Sequence, residues 1–76
     1  MSDDVTRKNI FNGLAEGFEK TADTIAREEQ RLRDAFQPLG RHVPEKEQEC
    51  LNTITASLLE NIRWLRETAA RLRKLE

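Results

Sequence analysis

The segment Gln37-Pro-Leu-Gly-Arg-His-Val-Pro44 separates two long stretches in which apolar residues recur at alternating steps of three and four residues. This spacing places the apolar side chains along one face of an α-helix. Pro38 and Pro44 disfavour a continuous helix, and Gly40 suits the left-handed conformation that often follows a helix end. The sequence therefore predicts a single all-α domain over residues 1–76, folded as an antiparallel helical hairpin. Helix 1 is expected over about 5–36, a turn over 37–44 and helix 2 over about 45–74.

The face on which the two helices pack is predicted to follow heptad position a, assigned from Phe11. Position a is then occupied by Phe11, Phe18, Ile25 and Leu32 in helix 1, by Leu39 in the turn, and by Leu51, Leu58, Leu65 and Leu72 in helix 2. The register that pairs Phe11 with Leu72 also pairs Leu32 with Leu51. Position d becomes polar in both helices, and we interpret these residues as polar core positions that set the register. They are Thr21, Glu28, Asn61 and Thr68.

Position e, one residue after d, also carries apolar residues in both helices. It includes Ala22, Ile62 and Ala69. A straight α-helix has 3.6 residues per turn, so its apolar stripe moves gradually away from a strict seven-residue repeat. We therefore expect the apolar stripe of each helix to shift from position d towards position e.

The small size of the chain predicts self-association. A chain of 76 residues buries only roughly 60% of the surface of its unfolded state, and the single Cys50 excludes an intrachain disulfide. Oligomerisation is then the expected source of additional stability. We predict a homodimer, in which two hairpins form a four-helix bundle. The predicted interface consists of Ile10, Gly13, Gly17, Phe36, Leu59, Ile62 and Trp64.

The stretch Gly13-Leu-Ala-Glu-Gly17 has two interpretations. Each glycine inside a helix costs roughly 0.5–1 kcal/mol relative to alanine, so the pair could mark a weak, frayed start of helix 1. Alternatively, the four-residue spacing of the glycines allows another helix to approach closely.

The function predicted from these patterns is a non-enzymatic protein–protein interaction or assembly module. Its partner, a second copy or another protein, would bind through the apolar surface around Trp64, because desolvated indole rings dominate the energetics of many interfaces. A first alternative is a small dimeric nucleic-acid-binding regulator that uses the basic end of helix 2. The contacts would be Arg63, Arg66, Arg71, Arg73 and Lys74. A second alternative is a chaperone-like adaptor for a secretion or assembly partner.

Metal, cofactor and catalytic sites are not expected. His42 and Cys50 are the only histidine and the only cysteine, whereas a structural zinc site usually has four such ligands. No third group is placed to orient His42 as a catalytic base, and Cys50 is expected to be a small buried thiol. No apolar run reaches the roughly 20 residues of a membrane-spanning helix, and the first residues do not resemble a signal peptide. We therefore expect a cytoplasmic protein.

Overall fold

The computed structural model describes residues 2–75 and contains two long helices packed against each other. Helix α1 spans Ser2–Phe36, a 3-10 helix spans Gln37–His42, and helix α2 spans Glu45–Arg73. The prediction of an all-α helical hairpin is confirmed. Residues 43 and 44 form the extended link between the 3-10 helix and α2, whose first turn is closed by a 2.9 Å hydrogen bond from the Gln48 N–H to the Pro44 carbonyl.

The ends of the helices differ from the sequence expectation in two details. Helix α1 begins at Ser2, so Asp3 and Asp4 lie inside its first turn, where their carboxylates favour the positive end of the helix. Gly40 lies within the 3-10 helix that follows α1. Pro38 occupies the beginning of this 3-10 helix, where its missing N–H is tolerated.

The packing seam between α1 and α2 is formed by heptad positions a and e. The a positions from Phe11 to Leu32 and from Leu51 to Leu72 are half-buried. The buried e positions are Ala15, Ala22, Glu29, Ile62 and Ala69. The contact of Phe18 with Trp64 and the shared cleft of Leu32 with Leu51 agree with the predicted register.

Position d is not part of this seam, so the interpretation of Thr21, Glu28 and Asn61 as polar core residues was wrong. All three side chains are exposed, and only Thr68 among the predicted polar core positions is half-buried. The physical reason is that the a/e seam leaves these polar groups outside the contact between α1 and α2, whereas an a/d seam would bury them in it. Small alanines at position e also allow the two backbones to approach. The structure confirms the expected shift of the apolar stripe from position d towards position e.

The hairpin has an unusually large surface for its mass. Its accessible area is 6396 Å², whereas a compact monomer of 8.8 kDa is expected to have about 4,800 Å². The radius of gyration is 17.7 Å, compared with about 11 Å for a compact domain of this length. Among residues 2–75, no large side chain is fully buried. Two helices alone therefore leave a thin core and a rod 62 Å long.

Candidate protein-docking surface

One side of the hairpin, which we call the charged flank, carries ion pairs between α1 and α2. It is defined by Glu19, Asp23, Arg66 and Arg73. The Arg73 Nε–H donates to Glu19 Oε1 at 2.8 Å, and Arg66 donates to Asp23 Oδ1 at 3.5 Å. These side chains are about half exposed, so each pair contributes at most about 1 kcal/mol. The charged flank holds the two helices in register and leaves little apolar surface.

The opposite side, which we call the aromatic flank, carries Trp64. It is formed by the d and g positions of both helices, which helical geometry places together on the side away from the charged flank. Its apolar and glycine members are Ile10, Leu14, Gly17, Ile54 and Trp64. The Trp64 ring meets the Phe18 ring at a centroid distance of 6.1 Å with an interplanar angle of 57°. Trp64 nevertheless remains 60% exposed.

Most of the exposed apolar residues of the aromatic flank lie between the chain termini and the middle of the hairpin. Ile10 and Leu14 are exposed on α1, and Trp64 lies beside Phe18, one turn further along the hairpin. Towards the 3-10 helix the same flank is more polar, with Glu28 and Arg31 joined by a 3.1 Å ion pair and Ile54 as an isolated exposed apolar residue at the same height. The contiguous apolar patch therefore extends from the terminal end to the middle of the flank.

Gly13 and Gly17 are not required by the packing of α1 on α2. A Cβ atom built at either position meets nothing within 4 Å outside the local helix backbone. Helix α1 begins eleven residues before Gly13 and continues through both glycines, so they do not mark a frayed start. Gly17 lies on the aromatic flank, whereas Gly13 lies on the outer surface of α1.

The remaining residues of the predicted interface do not lie on one surface. Leu59 is exposed on the charged flank, opposite Trp64. Ile62 is 6% exposed, because it packs in the seam between the helices. Phe36 is half-buried and lines an open cleft of about 550 Å³ beside the 3-10 helix, together with Leu32 and Leu51.

Glu29 is a buried carboxylate that sequence analysis missed. It is 5% exposed in the seam of α1, and its Oε1 accepts a hydrogen bond from the Arg33 Nε–H at 3.2 Å. The Arg33 side chain extends into solvent and is 57% exposed. Its spacing in the sequence could have predicted this position. Glu29 follows Ile25 by four residues and precedes Leu32 by three, so the three residues lie on one face of α1.

The basic residues near the end of α2 are largely neutralised within the chain. Arg66 and Arg73 pair with carboxylates of α1, and Arg63 pairs with Glu67 at 3.1 Å. Three of the five predicted nucleic-acid contacts thus already have an acidic partner. Such pairing reduces the positive potential that a phosphate backbone would meet.

His42 and Cys50 are both exposed, so the expectation of a buried thiol was wrong. Position g places Cys50 on the aromatic flank, which faces solvent in the hairpin. Within the described part of the chain, no group of three His, Cys, Asp or Glu side chains is arranged to hold a metal ion. Among the helices within residues 2–75, none combines the length and the hydrophobicity of a membrane-spanning segment.

Comparisons with protein-family models, with curated proteins and with solved structures found no match for this chain. The central feature of the candidate surface is the exposed Trp64 on the aromatic flank.

Proposed function

We propose that the chain is a non-enzymatic protein-interaction module, a self-associating helical hairpin that docks a protein partner on its aromatic flank. The observation that carries this proposal is the 60% exposure of Trp64 beside the exposed Ile10 and Leu14. A contiguous apolar patch on a small protein is typical of an interaction site. Tryptophan contributes most when a partner removes it from water.

The form of the aromatic flank favours a helical partner. The hairpin is a straight rod, 62 Å long and 16 Å wide, so its side offers a long, shallow surface and not a deep pocket. An α-helix laid along such a surface places residues at three- and four-residue steps against it. The proposal therefore concerns assembly between helices, including the chaperone-like role in which the hairpin covers a partner's amphipathic helix.

Site-specific photo-cross-linking in the native host tests this function. A photoreactive phenylalanine analogue replaces Trp64 in one variant and Leu59 in the control variant, because both residues are exposed in α2 but lie on opposite flanks. We expect protein cross-links from position 64 and few from position 59. Mass spectrometry then identifies the cross-linked protein, which is either this chain or another one. Equal cross-linking from both positions, or none from position 64, would contradict the proposal.

The nucleic-acid alternative is weaker because no observation favours it. The ion pairs of Arg63, Arg66 and Arg73 neutralise much of the basic end of α2. If the chain nevertheless bound nucleic acid, its affinity would decrease steeply with salt, and replacing Arg71 and Lys74 by glutamate would abolish it.

A further inference from the structure

The partner that best fits the aromatic flank is a second copy of this chain. Resting on the function proposed above, we propose a dimer whose twofold axis runs parallel to the long axis of the hairpin. Each α1 then lies beside the α2 of the other copy, and Trp64 of each copy packs next to Gly17 of the other. This proposal specifies the partner, the orientation and the central contact.

The surface area of the hairpin supports a partner of this size. The accessible area of 6396 Å² exceeds the expectation for a compact monomer by about 1,600 Å². A standard protein interface buries roughly 800 Å² on each partner. One side of a rod that is 62 Å long and 16 Å wide offers about 1,000 Å², so a second copy along its full length meets this requirement.

The positions of the exposed residues along the aromatic flank determine the orientation of the axis. Ile10 lies in the half near the termini, Trp64 lies near the middle, and the Glu28–Arg31 pair lies in the other half. An axis parallel to the hairpin keeps the Ile10 side chains of both copies at one end of the interface and brings each Trp64 to the height of Gly17 of the other copy. A perpendicular axis through the middle would place Ile10 against the Glu28–Arg31 pair of the other copy and would bring the two Trp64 side chains together, away from Gly17.

The shapes of Trp64 and Gly17 are complementary in this arrangement. The contact of Trp64 with Phe18 shows that the indole lies at the same height along the hairpin as Gly17. The space around Gly17 is open, since a Cβ atom there would meet nothing within 4 Å. A twofold axis makes the contact reciprocal, so the dimer contains it twice. All neighbouring helices in the resulting four-helix bundle are antiparallel, as in many natural bundles.

Sedimentation equilibrium of two glycine variants tests the central contact. Gly17→Leu adds a side chain on the aromatic flank, whereas the matched Gly13→Leu adds the same side chain on the outer surface. Both changes replace glycine in the same helix, so both favour helix formation, and circular dichroism confirms folding. We expect Gly17→Leu to weaken dimerisation about tenfold or more and Gly13→Leu to leave it unchanged. Equal dimerisation of the two variants would overturn the Trp64–Gly17 contact.

The distance between two labels on the outer surface of α2 tests the orientation. Cys50 lies on the flank that the second copy covers, so it is replaced by serine, and the exposed Lys46→Cys carries a spin label near the 3-10 helix. With the parallel axis, both labels lie at the same end of the bundle, about 20–35 Å apart given interhelical distances of 8–10 Å. A perpendicular axis separates them by more than about 45 Å at 1.5 Å per residue. A measured separation above about 45 Å would overturn the proposed orientation.

The two proposals fail in different ways. If the chain is a monomer at all concentrations but position 64 cross-links to another protein, the dimer and the self-association are wrong, whereas the docking of a protein partner on the aromatic flank stands. If position 64 cross-links to no protein while the purified chain remains monomeric, both proposals are wrong. A dimer with the two spin labels at opposite ends would retain the second copy as the partner and reject its orientation.

Discussion

Replacing Glu29 by leucine should stabilise the hairpin, because Glu29 occupies a seam position that its neighbours make apolar. The side chain is 5% exposed and lies one turn from both Ile25 and Leu32 on the same face of α1. Within residues 2–75 its ion-pair partner is Arg33, whose own side chain is 57% exposed. Arg33 therefore remains hydrated after the substitution.

The expected gain follows from the two contributions that change. Complete burial of a leucine side chain stabilises by about 1.5–3 kcal/mol, and residual structure in the unfolded chain reduces this value by roughly 10–40%. Loss of the partly exposed ion pair costs about 0–1 kcal/mol. Glu29→Leu should therefore raise the free energy of unfolding by about 1–2 kcal/mol, equivalent to about 4–8 °C in Tm for each kcal/mol.

Urea denaturation followed by far-UV circular dichroism measures this change, at one fixed protein concentration because dimerisation also affects stability. The matched control is Glu16→Leu. Glu16 also pairs four residues along α1, with Lys20 at 3.2 Å, but its side chain is 63% exposed. The control should change stability by no more than about 0.5 kcal/mol. A decrease in stability for Glu29→Leu, or equal changes in the two variants, would refute the a/e seam.

Three further changes test other parts of the structure. Ile62→Ala should destabilise the hairpin by about 2–4 kcal/mol in the same urea assay, whereas Leu59→Ala on the charged flank should cost less than about 1 kcal/mol; similar costs would contradict the burial of Ile62. Arg73→Ala should lower the free energy of unfolding by at most about 1 kcal/mol, despite the two hydrogen bonds of Arg73 to Glu19. A larger decrease would show that the ion pairs of the charged flank stabilise the hairpin more than exposed pairs usually do. In the monomeric hairpin at high dilution, the thiol of Cys50 should react with a disulfide reagent as fast as in urea; slow reaction there would mean that it is buried.

The hairpin was predictable from sequence because its signals are local and agree with one another. Pro38 and Pro44 interrupt the apolar periodicity, and position a is apolar on both sides of the interruption. An antiparallel pair of helices is the simplest way to bury both stripes. The observed ends of α1 and α2 depend on capping details that the sequence defines less sharply.

The seam was harder to predict because two patterns share the same a positions. Phe11, Leu14 and Phe18 form a three–four pattern, and Phe11, Ala15 and Phe18 form a four–three pattern. Hydrophobicity favours the first pattern because leucine is more apolar than alanine. The structure follows the second pattern, because small residues at position e allow close approach and polar residues at position d then lie outside the contact between α1 and α2. Because of the same ambiguity, Glu29 was not predicted to lie in the seam. Ile62 and Leu59 were predicted to lie on the same surface as Trp64, which they do not.

The central claim is that a second copy covers the aromatic flank, and one experiment on the purified chain tests it most directly. Light scattering gives the molar mass over a dilution series, and the emission of Trp64, the only tryptophan, is recorded on the same samples. We predict twice the 8.8 kDa chain mass with blue-shifted emission at high concentration, and both signals should change together on dilution. A mass of 8.8 kDa with solvent-like emission at every concentration would contradict the claim.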